Sequence, residues 1–222
     1  MPLNSREAGN HRRTAGKEST MKYGNLTLGQ IEAGINKIGG EDAFMRLLAG
    51  ELNIVPAKPS DPKKLLELVT TVSVAACEKF VAKEHFKVDT SRKAKVKIAF
   101  LWDNFSKHFL PKTEEGVLAG EIKVNKLLQS SLDAPIMTEL GDPRSYSTTL
   151  ADLWALLEKQ PNGEEGALLV NGYANTLYIH DTEGNLWAVF ASWYAAYGGW
   201  YVEALSVGRP GRWVDGIQVL SR

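Results

Sequence analysis

Only one cysteine, Cys77, occurs in these 222 residues. An internal disulfide and a cysteine-based zinc site are therefore excluded. The scarcity suits a reducing cytoplasm, which is the compartment expected. No apolar run reaches the roughly 18–20 residues of a membrane-spanning helix. The formal net charge is zero, so no global field draws the chain to nucleic acid or a membrane. There is no Walker-type phosphate loop, no GxGxxG, no GxSxG elbow and no HExxH. The four histidines, His11, His85, His108 and His180, show no metal-ligand spacing. Neither a metal nor a cofactor is expected. Cys77 with His85 or His108 as base could be written as a thiol nucleophile, but a small core cysteine is the commoner case.

The chain is otherwise ordinary for a globular protein, with 44% hydrophobic and 23% charged residues. Charge is unevenly spread. Residues 151–222 carry eight acidic side chains against four basic ones, and the front part carries the compensating positive excess. Residues 1–20 are polar and lack the apolar core of a secretory signal. Residues 1–22 read as a disordered arm or an upstream extension, with Met21 available as a start. Arg12 and Arg13 are too few to hold phosphate well at physiological salt.

From Thr27, a capping box with Gln30 opens a helix carrying Ile31, Ile35 and Ile38, closed by Gly39-Gly40. A second helix is expected over 41–52 with Phe44, Leu47 and Leu48 on one face, completing a helical hairpin over 23–54. Its acidic start and single basic residue, Arg46, argue against a DNA-recognition helix. Three prolines in 55–62 mark a linker. In the mixed segment 63–112, residues 63–68 predict a short helix after the Asp61-Pro62 cap, VTTVSVAAC a strand, 86–89 and 95–101 period-two strands, and Asp103 a helix cap. Arg92, Lys93, Lys95 and Lys97 form the best basic patch. Without interleaved aromatics for base stacking, it reads first as the solvated face of an edge strand.

Residues 113–222 form the last expected domain. Residues 114–131 are polar and read as a loop with some helix near 124–128. Thr148 or Thr149 caps a helix carrying Leu150, Leu153, Trp154 and Leu157. From 167 to 220, apolar runs cut by Asn171-Gly172, 181–185, Gly198-Gly199 and 208–211 predict an antiparallel meander resting on that helix. Residues 186–194 are apolar on both faces, so that strand should be central and covered on both sides. Five tryptophans, five tyrosines and one phenylalanine fall in 151–222. Most should be core. Tyr194, Tyr197, Tyr201 and Trp213 lie nearest the turns and are the candidates for an exposed ligand- or protein-binding platform. His180 beside Asp181, with Glu203 across a hairpin, is the one acid/base set that can be built.

The stretches GQIEAGINKIGGEDAFMRLLAGEL, DAPIMTELG, NGYANTLYIHDTEGNLWAV and GRWVDGIQVLSR together resemble a group of uncharacterised bacterial proteins from environmental genomes. The resemblance covers nearly everything from Met21 onward. It implies bacterial origin and one inherited architecture, supports Met21 as the usual start, and carries no activity or catalytic residues.

The expected fold is α+β: a short N-terminal helical hairpin, a mixed middle, and a C-terminal meander packed on one amphipathic helix. The leading function is a non-catalytic binding or protein-interaction module using the aromatic sheet. The alternatives are a small hydrolase-like enzyme around His180, Asp181 and Glu203, and a nucleic-acid-associated protein using the front helices and the 92–97 patch.

Overall fold

The computed structural model describes residues 25–53 and 64–222. The arm expected at 1–22 and the linker at 55–62 lie outside the described residues. The chain divides into two units, Met1–Ser60 and Asp61–Arg222.

In the first unit, α1 (Leu28–Lys37) and α2 (Gly40–Leu48) pack as a hairpin. The Thr27 hydroxyl accepts from the Gln30 amide and the Gln30 side chain accepts from the Thr27 amide, so both halves of the capping box form. Gly39 turns the chain at φ 109°, a conformation that side chains disfavour. No residue of either helix is buried.

In the second unit the order is β1 (Leu66–Val74), β2 (Cys77–Val81), α3 (Ala82–His85), β3 (Ile98–Leu101), α4 (Asp103–His108), β4 (Thr113–Val117), β5 (Gly120–Leu127), α5 (Asp133–Leu140), α6 (Pro143–Tyr146), β6 (Ser147–Thr148), α7 (Leu150–Leu157), β7 (Asn175–His180), β8 (Leu186–Tyr194), β9 (Gly199–Ser206) and β10 (Gln218–Ser221). The main sheet runs β1-β5-β10-β7-β8-β9-β3, and β6 pairs with β7 beyond the end of β10. The expected meander is β7-β8-β9, antiparallel throughout. The last strand, β10, does not extend it. It inserts between β5 and β7, parallel to β7.

Several expectations are corrected. Residues 66–68 open β1 rather than a helix, because the β-branched run that follows pairs along β5. The polar stretch 114–131 supplies β4 and β5. In β5 the outer positions carry the charge while Ile122, Val124 and Leu127 are buried, and in β4 Glu114 is buried beside Val117. No boundary falls at 112/113, since β1 pairs β5 and β3 pairs β9 across it. Residues 86–89 contribute only the Asp89–Ile98 bridge. The α4 cap position is Trp102, with Asp103 in the first turn. Val74 faces Gly120 and, three residues on, Cys77 faces Val117. The small β2/β4 sheet thus continues the β1/β5 register past a break.

Strand β8 lies between β7 and β9 and is buried through both faces. On one side Val189, Ala191 and Trp193 join Leu177, Ile179, Val202 and Ala204 beneath Leu150, Leu153, Trp154 and Leu157 of α7. On the other, Tyr178, Ala188 and Val219 meet Ile136 of α5, Trp213 and Ile217. Among the described residues no helix is long and apolar enough to cross a membrane.

Helix α7 is fixed at its N-terminus. Thr149 caps it in a capping box with Asp152. Glu114 of β4, itself buried, accepts from the Leu150 and Ala151 amides at 3.0 and 2.9 Å, and pairs with Lys112 at 3.0 Å. Arg222, after β10, donates to both oxygens of Asp152 and to the Leu118 carbonyl. Two orphan amides of the helix are thus satisfied by a carboxylate where the helix dipole favours negative charge. Glu114→Ala should therefore lower unfolding free energy by about 3 kcal/mol, because it leaves buried donors unpaired. Urea denaturation measures this, and a loss below about 0.5 kcal/mol would contradict the anchoring.

Candidate binding site

The β8–β9 turn is closed by the Tyr197 amide donating to the Tyr194 carbonyl at 3.0 Å and Gly198 to Ala195 at 3.2 Å. Gly198 has φ 60°. Gly199 serves a different need. A Cβ there would lie 2.8 Å from the Ala99 nitrogen, so glycine lets β3 approach. From this turn the strand alternation sends Trp200 inward, fully buried, and Tyr201 outward.

Five rings, with Tyr201 at the centre, gather at the surface. Its ring centroid lies 4.5 Å from Tyr194, 5.4 Å from Tyr197 and 5.7 Å from Phe100, and Phe100 lies 5.1 Å from Trp102. Phe100, Trp102, Tyr194 and Tyr197 are 42%, 44%, 40% and 64% exposed. These distances suit edge-on and offset ring contacts, yet much of the aromatic surface remains in water. The Tyr201 phenol is held above its ordinary pKa, first by burial and then by its tyrosine neighbours.

Tyr194 also lines a cavity of about 500 Å³, shallow and widely open to solvent, with Tyr173, Phe190, Ser192, Arg209, Arg212 and Trp213 along it. Trp213 is buried, which corrects its expected exposure. Its indole N–H donates to Asp133 at 2.7 Å and its ring meets Phe190 at 5.4 Å. The Tyr178 hydroxyl donates to the same Asp133 oxygen at 3.0 Å. Burial raises the Asp133 pKa against those two hydrogen bonds and the charge of Arg209. Burial likewise raises Tyr178, with Asp133 adding to it.

His180, Asp181 and Glu203 do not assemble into an acid/base set. His180 pairs with Leu186 and Glu203 with Phe190, four residues along β8, about 13 Å. Asp181 instead organises its own turn. It accepts from the Glu183 and Asn185 amides and the Trp187 indole, each at 2.9 Å, and lies 3.4 Å from His108. Burial pushes its carboxyl up, but the hydrogen bonds from Asn185, Trp187 and Glu183 outweigh this and hold it below the usual value. Glu203 is raised by burial, with the charge of Arg209 opposing. Among the described residues no group of three or more His, Cys, Asp or Glu could hold a metal ion. Cys77 is a half-buried thiol at the core margin, with no hydrogen bond to His85 or His108.

The basic patch lies in the loop before β3, not on an edge strand. Pairing there starts at Ile98, while Lys97 donates its amide to the Pro161 carbonyl. Lys95 pairs with Glu158 at 2.5 Å. Lys93 and Lys95 border a small hollow shared with Glu84, Asp89 and His85, so acids interrupt the positive surface. Arg92 is exposed beside them. The His85 ring stacks on Phe80 at 4.3 Å, and burial lowers its pKa.

The structure thus brings together Tyr194, Tyr197 and Tyr201, with Trp213 in the cavity wall beside them. Phe100, Trp102, Tyr173, Arg209 and Arg212 belong to the same region and were not among the expected residues. The available signals were the i, i+2 aromatics of IAFLW and the two arginines flanking Pro210-Gly211. No family model matches this chain, and neither a curated protein nor a solved structure is detectably similar to it.

Asp133 supplies a pH test. A carboxyl whose folded pKa is raised makes the folded state bind its proton more tightly, so its contribution falls as pH rises from the ordinary value through the raised one. The stability of the native protein minus that of Asp133→Asn, from denaturant unfolding at pH 3 to 7, should fall with rising pH and then level. A difference that rises with pH would show that Asp133 is held ionised instead.

Proposed function

We propose that this protein is a non-catalytic binding module acting through the aromatic corner of its main sheet, within a reducing cytoplasm. The observation that carries this reading is the surface cluster of Phe100, Trp102, Tyr194 and Tyr197 around the half-buried Tyr201, continuous through Tyr194 with an open depression. Large aromatic side chains left in water lose the burial that ordinarily stabilises them, and exposed contiguous apolar patches on a folded unit mark interaction surfaces. Trp and Tyr are also the residue types that concentrate binding energy at interfaces.

The hydrolase-like alternative has less support, because Glu203 stands well away from His180 and Asp181 is committed to its turn. The nucleic-acid alternative is weakened by the acids among the 92–97 lysines and by the pairing of Arg46 with Glu51 at 3.4 Å. The free thiol of Cys77 accords with a reducing compartment.

A thermal-shift screen of metabolites and peptides tests the reading. Ligands that raise the melting temperature of the native protein should lose at least tenfold in affinity with Tyr201→Ala or Trp102→Ala. Trp102→Ala should unfold within about 1 kcal/mol of the native protein, as surface changes do, and Tyr201→Ala, which removes a half-buried ring, within about 3 kcal/mol. Hits unaffected by both variants would overturn the proposal.

A further inference from the structure

The cavity has a chemical bias that the aromatic corner alone does not. Among the described residues, the only charged side chains in its wall are two arginines, Arg209 and Arg212. Neither forms an ion pair among the described residues, although six such pairs occur elsewhere. Asp133 and Glu203 feel the charge of Arg209, yet neither lies within ion-pair distance of it.

Arg209 is held rather than free. Its guanidinium carbon lies 4.8 Å from the centre of the Trp213 ring, a cation–π placement. Its Nε is buried and has no hydrogen-bond partner among the described residues. With Nε buried, the Nη groups are the donors that a bound anion can meet. Gly211 makes the placement possible. A Cβ at that position would lie 2.2 Å from the Arg209 Nη1. The cavity's other walls include the rings of Tyr173, Tyr194 and Phe190. A volume of about 500 Å³ falls in the range of small-molecule sites.

We infer that this cavity binds a small planar molecule bearing one anionic group, a ring carboxylate or ring phosphate, with the ring against Tyr173, Tyr194 and Phe190 and the anion on Arg209 and Arg212. Guanidinium groups match the geometry of both anions with paired N–H donors. The inference rests on the binding-module reading and narrows it to one ligand class.

Isothermal titration of the full chain with 1-naphthoate, phenyl phosphate, inorganic phosphate and neutral 1-naphthalenemethanol tests it. At least one ring anion should bind, and whichever binds more tightly identifies the anion. The neutral alcohol and inorganic phosphate alone should each bind at least tenfold more weakly. Arg209→Gln should weaken the ring anion at least tenfold. Gly211→Ala should do the same by displacing Arg209 from the Trp213 ring, and both variants should keep the native melting temperature to within a few degrees. Should either variant fail to fold, Arg212→Gln serves, since its side chain is exposed and donates one long hydrogen bond, at 3.4 Å, to the Ser130 carbonyl. The inference is overturned if no ring anion binds, if the neutral alcohol binds as tightly, or if the charge-removing variants bind as the native protein does. Absent ring-anion binding alongside a ligand response that Tyr201→Ala abolishes would sink the ligand class and leave the binding module standing. Ring-anion binding with no such response anywhere on the aromatic corner would do the reverse.

Discussion

A carboxylate taken out of water needs partners, and Glu114 finds three of them at one place: two helix amides and the Lys112 ammonium. That requirement determines where α7 sits. A helix of eight residues with seven of them buried has little freedom of its own. Its N-terminus could be satisfied by solvent if it lay at the surface. Because Glu114 comes from β4, the helix is instead bolted to the ribbon that continues β1 and β5, and Arg222 ties the same end to the strand inserted beside β7. One face of the sheet is closed by this arrangement. The opposite face is closed only in part, by α5 and the segment carrying Trp213 and Ile217. What is left over is the corner where β3, β9 and the β8–β9 turn meet.

The same residue types serve opposite ends on the two sides of one strand. Trp200 and Tyr201 are neighbours. Trp200 packs edge-on against Trp193 at 5.5 Å, and its indole N–H donates to the Gln160 carbonyl at 3.1 Å. Tyr201 gathers the surface rings. The strand period alone divides them. The long connection from α7 to β7 keeps the closed side closed. Gln160 and Asn175, both buried amides, bond its backbone at Leu168 and Leu169. Gly163 lies flat on the Trp193 ring, where a Cβ would come within 2.0 Å.

Local chemistry was the most legible part of the sequence. The capping box expected at Thr27 forms, and of the two cap candidates Thr148 and Thr149 it is Thr149 that caps α7, in a box with Asp152 that was not anticipated. The hairpins of β7, β8 and β9 were readable because alternation and turn residues agree. The segment 120–127 misled because its burial changes faces midway. Ile122 and Val124 point to one core, Asn125 and Leu127 to the other, so no single alternation survives beside the exposed lysines. The β10 insertion and the β1/β5 pairing were invisible for another reason, since nothing local specifies which distant strand a strand will join. Trp213 was misjudged because proximity to a turn says nothing of a carboxylate eighty residues away that binds its indole. The arginines of the cavity carried no periodic signal at all. They matter only because the fold sets them against aromatic walls.

The central claim is that aromatic side chains are divided between a sealed side and a bare corner. Hydroxyl-radical footprinting of the free protein measures that division most directly. Trp102, Tyr194 and Tyr197 should be modified rapidly under native conditions, while Tyr178 and Trp200 should react only after unfolding. Protection of the first three in the free protein, or equal reactivity of both groups, would contradict the account.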